Sequence, residues 1–205
     1  MVPVGVARLE ATADYPTRTT LEPASKRRIA AAAARLIRHG TTVILDGGTT
    51  TLALTRTLPA DLRATVITHS PTVAAALIEH GTVEVFLLGG RLFKHYAVTC
   101  GAAAVEAAQQ VSADLFFLGV TGVHATHGLT TGDPDEAAMK RALAGRAAGT
   151  YVLASTEKVG AVCNYQVLPL SEVAGIVTDA PPGQTTHALK SQGITLLDAP
   201  SDHTT

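Results

Sequence analysis

The chain has 205 residues, 46% hydrophobic and 16% charged, which suits one α/β domain with a sizeable core. Its formal net charge of −1 argues against a large basic face for nucleic acid, and no apolar run approaches the ~20 residues of a membrane-spanning helix. The start of the chain lacks the features of a signal peptide, and two cysteines form no disulfide framework, so we expect a cytoplasmic protein.

The elements predicted along the chain begin with an arm. Residues 1–25 carry scattered prolines and no apolar period, which predicts an extended arm or linker. A helix is predicted over 26–39; the basic cluster Lys26-Arg27-Arg28 at its start is typical of a solvated face, with DNA contact as the alternative. Strands and helices then alternate. The predicted strands are 42–45, 65–68, 83–88, 115–120, 150–154, 175–178 and an edge strand at 194–197, and the further helices are 50–58, 71–80, 101–111 and 134–148.

This alternation predicts an α/β fold, a mostly parallel sheet with helices on both faces. Ligands bind such sheets beyond the carboxyl ends of the strands. Several predicted strand ends carry glycine, hydroxyl or lysine groups, which indicates a ligand site at this edge. These ends are Asp46 to Thr50, Thr68 to Ser70, Gly89 to Arg91, Gly122 and Lys158.

The most informative strand end is Asp46-Gly47-Gly48-Thr49-Thr50. A strand, a glycine turn and a helix bring backbone N–H groups, hydroxyls and the positive end of a helix dipole to one point. Such a point favours an anion, most often a phosphate. Glycine also suits any tight βα turn, so spacing alone leaves both interpretations open. Lys158 is likewise either a cation for the anion or a solvated loop lysine.

Several motifs occur together in order over residues 26–179: Lys26-Arg27-x-Ile29-Ala30, Asp46-Gly47-Gly48-Thr49-Thr50, Thr68-x-Ser70, Leu88-Gly89-Gly90, Phe117-x-Gly119-Val120-x-Gly122, Gly128-Leu129-Thr130-Thr131 and Lys158-x-Gly160. The set resembles the C-terminal sensor domain of DeoR-type bacterial transcriptional regulators. The resemblance implies a fold shared with ribose-5-phosphate isomerase and glucosamine-6-phosphate deaminase. It also implies a phosphorylated sugar or polyol effector, a homo-oligomer, and no cofactor or metal.

On this resemblance, residues 26–180 form the sensor domain, 1–25 the linker, and 181–205 a C-terminal edge segment and tail. The phosphate would bind the turn and the lysine, namely Gly47, Gly48, Thr49, Thr50 and Lys158. The sugar end would be lined by Thr68, His69, Ser70, Gly89 and Gly90. The residues that would meet hydroxyls or order the loops are Asp46, Glu136 and Lys140, and Gly122 completes the set of strand-end residues.

Two departures from the family pattern bear on function. The N-terminal helix-turn-helix of the regulators is missing, so DNA contact is expected only through a module not present in this chain. His69 stands where the family usually has Asn, which leaves ligand preference open.

The alternative function is a sugar-phosphate isomerase or a related enzyme of the same fold. Glu136 could be its carboxylate base, although Asp133-Pro134-Asp135-Glu136 favours a helix capping box. The acids that the related isomerase carries after its fourth strand are absent. His124-x-x-His127 suggests a metal site, but a loose pair of this kind is more typical of a surface. We therefore expect a sensor and not an enzyme.

Overall fold

The centre of the protein is a seven-stranded sheet in which all neighbouring strands are parallel. The computed structural model describes residues 13–199. The strands, in spatial order, are β12 (Leu196–Asp198), β11 (Gly175–Thr178), β9 (Ala147–Ala154), β6 (Ala113–Gly119), β1 (Thr42–Leu45), β2 (Ala64–Thr68) and β3 (Val83–Leu87). The predicted fold class is confirmed.

Helices cover both faces of this sheet. They are α1 (Tyr15–Thr20), α2 (Pro23–Ala34), α3 (Thr49–Thr55), α4 (Pro71–Ala76), α5 (Ala102–Gln109), α6 (Pro134–Ala144) and α7 (Gln184–Ser191). In β1, Ile44 packs in the core shared with α5, α6 and α7, whereas Val43 and Leu45 pack in the core shared with α2, α3 and α4. Because central strands such as β1 are buried on both sides, their sequences are mostly apolar runs.

Two smaller antiparallel sheets were not predicted from the sequence. One contains β7 (Gly122–His124), β8 (Gly128–Thr131) and β10 (Tyr165–Leu168), and the other contains β4 (Arg91–Phe93) and β5 (Val98–Cys100). These strands are three or four residues long, too short for an apolar alternation to be read. A 3₁₀ turn, Thr156–Lys158, follows β9, and a second, Leu170–Glu172, follows β10.

The predicted extended arm is wrong for the part that the structure describes, because α1 is helical and α2 begins at Pro23. The Asp14 carboxylate caps α1 by accepting a hydrogen bond from Thr17 N at 3.0 Å. Pro16 and Pro23 each occupy the first turn of a helix, where proline is compatible with helical structure. Residues 1–12 of the arm and 200–205 of the tail lie outside the described residues, and the domain boundaries stay a prediction.

None of the helices within residues 13–199 is long and apolar enough to cross a membrane.

Candidate functional site

A small cavity of about 50 Å³ lies beyond the carboxyl ends of β1, β6 and β9. It is bounded by the β1–α3 turn, the end of β6, the inner side of α6, the turn after β9, and the segment that connects α1 to α2. The residues that line it are Arg18, Leu21, Glu22, Lys26, Gly47, Gly48, Thr49, Thr50, Thr51, Gly119, Val120, Thr121, Glu136, Lys140, Glu157 and Lys158.

The β1–α3 turn can take its shape only because it contains two glycines. A Cβ on Gly47 would lie 1.9 Å from Val98 Cγ1, and Gly48 has a φ of 137°. No side chain caps the start of α3 at Thr49. The backbone of this turn therefore borders the cavity with the positive end of the helix, an arrangement that suits an anion.

A network of buried charged side chains lies next to the cavity. Lys140 Nζ is paired with Asp46, lies 3.3 Å from Glu136 Oε1, and donates to Gly119 O at 2.9 Å. Gly119 N donates to Asp46 Oδ2 at 2.8 Å. Burial by itself would raise the pKa of Asp46, but the charge of Lys140 and the hydrogen bond with His69 lower it to about 2. For Lys140, burial opposes the charged form, whereas the two carboxylates raise its pKa. The positive charge of Lys140 is thus already matched within the protein.

The capping box predicted at the start of α6 forms only in part. The Asp133 carboxylate accepts from Glu136 N at 2.9 Å, as predicted. The Glu136 side chain, however, accepts a hydrogen bond from Thr131 Oγ1 and faces Lys140 instead of the helix start. Its carboxylate therefore belongs to the wall of the cavity, because a buried lysine attracts it more strongly than a backbone N–H group does.

Three residues expected at the sugar end, Thr68, His69 and Ser70, do not line the cavity. Thr68 Oγ1 donates to Leu45 O at 2.7 Å, and Ser70 Oγ accepts from Val73 N as the predicted cap of α4. The ring of His69 is fully buried, with Nε2 2.8 Å from Asp46 Oδ1 and Nδ1 2.9 Å from Thr99 O. These side chains hold the strand ends and the network together.

The glycines Gly89, Gly90 and Gly122 also lie outside the cavity lining. Gly90 packs against α5, where a Cβ would approach that of Ala104 to 3.0 Å, and Gly122 packs against the carbonyl of Ala161. Glycine at positions 90 and 122 therefore serves close packing, whereas a Cβ on Gly89 would meet nothing within 4 Å. The role expected for Gly89 and Gly90 at the sugar end, and for Gly122 at a strand end, stays a prediction.

Lys158 borders the cavity as predicted and is half-buried. Within residues 13–199 its Nζ has no hydrogen-bond or ion-pair partner. Burial lowers the pKa of Lys158 to about 8, despite the opposing effect of Glu157. The positive charges of Arg18, Lys26 and Lys140 contribute to this lowering of the pKa. The ammonium group is therefore available to an anion.

Arg18 borders the same cavity but was not predicted, because it lies in a segment with no apolar period. Its guanidinium stands 4.6 Å above the ring centre of Tyr96. Its Nε and Nη2 atoms are buried and make no hydrogen bond within the described chain. Burial lowers the pKa of Arg18.

The basic cluster at the start of α2 does not form one face. Lys26 is buried and its Nζ donates to the carbonyl oxygens of Arg18 and Leu21. Arg27 is exposed, and Arg28 pairs with Asp179 at 2.6 Å. The three side chains diverge, so the cluster offers no continuous surface to DNA.

No group of three or more His, Cys, Asp or Glu side chains that could hold a metal occurs in residues 13–199. His124 and His127 face each other, and their Nδ1 atoms lie 3.1 Å apart. The hydroxyl of Thr126 is within hydrogen-bond distance of both Nδ1 atoms.

The fold and the cavity define a ligand-binding α/β domain. Residues 21–180 match the family model of the DeoR C terminal sensor domain, and the chain belongs to this family. It is 33% identical over 178 residues to the HTH-type transcriptional repressor GlcR of Bacillus subtilis, covering 86% of this chain and 68% of the repressor. It is 33% identical over 174 residues to the HTH-type transcriptional regulator GlpR of Haloferax volcanii, covering 84% of this chain and 68% of the regulator. The resemblance stated from the motifs is thereby confirmed, and the named relatives are regulators.

Solved structures are similar to this chain at low sequence identity. The tetrameric eIF2B-beta2-delta2 complex from C. thermophilum matches with a TM-score of 0.55 at 15% identity, over 82% of this chain and 59% of that one. Ribose 5-phosphate isomerase A from Methanocaldococcus jannaschii matches with a TM-score of 0.48 at 18% identity, over 65% of this chain and 52% of that one. This chain thus spans less than two thirds of either protein.

Proposed function

We propose that this sensor domain binds a phosphorylated sugar or polyol, whose phosphate lies between the turn Gly47–Thr50 and Lys158. The observation that carries the proposal is the unpartnered ammonium group of Lys158 beside the uncapped start of α3. Partial burial of a cation without an ionic partner carries a desolvation cost, and a bound anion would offset that cost. A phosphate is the anion that a glycine turn at a helix start suits best.

The remaining walls suit the hydroxyl groups of a sugar or polyol. The Glu136 carboxylate can accept hydrogen bonds, and the hydroxyls of Thr50 and Thr121 can donate or accept them. Ligand contacts on these loops would favour one conformation of the domain over another, and this population shift would be the regulatory signal.

Operator DNA, we propose, is contacted only through a helix-turn-helix module outside this chain. The net charge of −1 and the divergent side chains of the basic cluster support this division of roles. The partner expected for the domain itself is a second copy. The outermost strand β3 supports that expectation, because its outer edge pairs with no strand in residues 13–199 and its side chains Val85, Phe86 and Leu87 are 37%, 53% and 47% exposed. Two such edges can pair antiparallel across a two-fold axis.

The alternative function, an isomerase acting on sugar phosphates, has one observation in its favour. The Glu136 carboxylate, the candidate base, borders the cavity. Its contacts disfavour the role, because one carboxylate oxygen is paired with Lys140 and the other already accepts a hydrogen bond from Thr131.

Titration calorimetry tests the proposal with phosphorylated hexoses, pentoses and polyols, each compared with its unphosphorylated form. We expect binding only with the phosphate present, and a loss of about tenfold or more in affinity in Lys158→Ala. Lys190→Ala, which removes an exposed lysine of α7, is the matched control. Equal binding of the unphosphorylated forms, or full affinity in Lys158→Ala, would contradict the proposal. Formation of an isomerised product would favour the enzyme.

A further inference from the structure

The cavity is too small for the ligand proposed for it. Its volume of about 50 Å³ compares with about 300 Å³ or more for pockets that enclose small molecules. A part of the wall must therefore move to admit a sugar phosphate. Most of the wall belongs to strand ends, to α3 and to α6, whose side chains are anchored in the two cores.

The part of the wall held least firmly is α1 with the connection to α2. No residue of α1 is buried. The helix is attached through Tyr15, whose N donates to His95 O and whose hydroxyl donates to Thr72 Oγ1, both at 2.9 Å. Its connection passes through Glu22, which has a left-handed φ of 42° directly before a proline. Such a conformation is unfavourable for a residue with a side chain and persists only where its surroundings hold it.

This weakly attached segment carries the second unsatisfied cation of the cavity. Two guanidinium nitrogens of Arg18, Nε and Nη2, are buried without a hydrogen-bond partner. The ring of Tyr96 covers one face of the guanidinium and leaves its edge for a partner in the plane. Two adjacent nitrogens in one plane match two oxygens of a phosphate.

We propose that α1 is a lid that opens to admit the effector and closes over it, with Arg18 binding the phosphate opposite Lys158. The proposal rests on the proposed function, because it takes the same cavity as the effector site. Lys26 supports closure by bonding the carbonyl oxygens of Arg18 and Leu21, which joins the lid to α2. Occupancy of the cavity would thus fix the segment from Tyr15 to Lys26 onto the domain.

The experiment combines phosphate affinity with hydrogen exchange, using inorganic phosphate and glucose 6-phosphate as probes. In the unchanged protein, we expect phosphate to slow amide exchange in residues 15–26. In Arg18→Gln, we expect an affinity lower by about 10- to 100-fold and no such slowing. Arg27→Gln, an exposed arginine on the neighbouring helix, is the matched control and should behave as the unchanged protein does.

The outcomes separate the two proposals. If the unchanged protein binds phosphate but Arg18→Gln binds equally well, or if exchange in residues 15–26 stays the same on binding, the lid is refuted and the effector site stands. If neither probe nor any member of the sugar-phosphate panel binds the unchanged protein, both proposals fall. The exchange measurement on the unchanged protein decides the question even if Arg18→Gln does not fold.

Discussion

Replacing Lys140 by methionine tests the buried charge network under the cavity. Methionine keeps the length and apolar stem of the lysine but removes the ammonium group, which is 2% exposed and paired with Asp46 and Glu136. The change leaves two buried carboxylates without their shared cation. Breaking a buried pair in this way costs about 3 to 5 kcal/mol at neutral pH, because the remaining charges keep their desolvation cost.

The structure also sets the dependence of this cost on pH. In the unchanged protein the pKa of Asp46 falls from 3.8 to about 2, which corresponds to about 2 kcal/mol of stability. Because the pKa is lower in the folded state, this stability is present above pH 4 and is lost as the pH falls towards about 2. In Lys140→Met the main cause of the lowering is gone and burial raises the pKa. The variant should therefore gain stability on acidification, and the difference between the two proteins should shrink.

Urea unfolding followed by circular dichroism, at neutral pH and at about pH 3, measures both quantities. Lys190→Met, which changes an exposed lysine, should match the unchanged protein at each pH. A Lys140→Met protein as stable as the unchanged one at neutral pH would refute the network. A stability loss that stays constant with pH would refute its electrostatic origin.

Three further predictions concern the site and the sheet edge. Gly47→Ala should lower stability by about 1 to 3 kcal/mol because its Cβ meets Val98, whereas Gly81→Ala, where a Cβ meets nothing within 4 Å, should cost little in thermal melts. Phosphate affinity should fall as the pH rises through about 8, where Lys158 loses its proton, and should stay level in Lys158→Arg; an unchanged profile in calorimetry would contradict this. If the domain dimerises through the β3 edge as proposed, Phe86→Lys should be monomeric in light scattering where the unchanged protein is dimeric, and a dimeric Phe86→Lys would exclude this edge.

The parallel sheet, and the edge of it at which the cavity lies, could be predicted from the amino-acid sequence. Apolar runs buried on both faces, alternating with capped helices, specify a parallel sheet locally. Gly47, Gly48 and Lys158 could be identified because each follows a predicted strand directly, and the carboxyl ends of parallel strands meet at one edge.

Which polar side chains line the cavity, and which are buried beside it, became clear from the three-dimensional structure. Thr68, His69 and Ser70 follow a strand just as the glycine turn does, yet their side chains point into hydrogen bonds with neighbouring strands and α4. Arg18 lines the cavity although it lies in a distant segment with no apolar period. Lys140 forms an ion pair with Asp46, which is 94 residues away in the sequence. The local sequence pattern predicts which strand a residue follows. The direction and the partner of a charged side chain, however, depend on contacts between segments that are far apart in the chain.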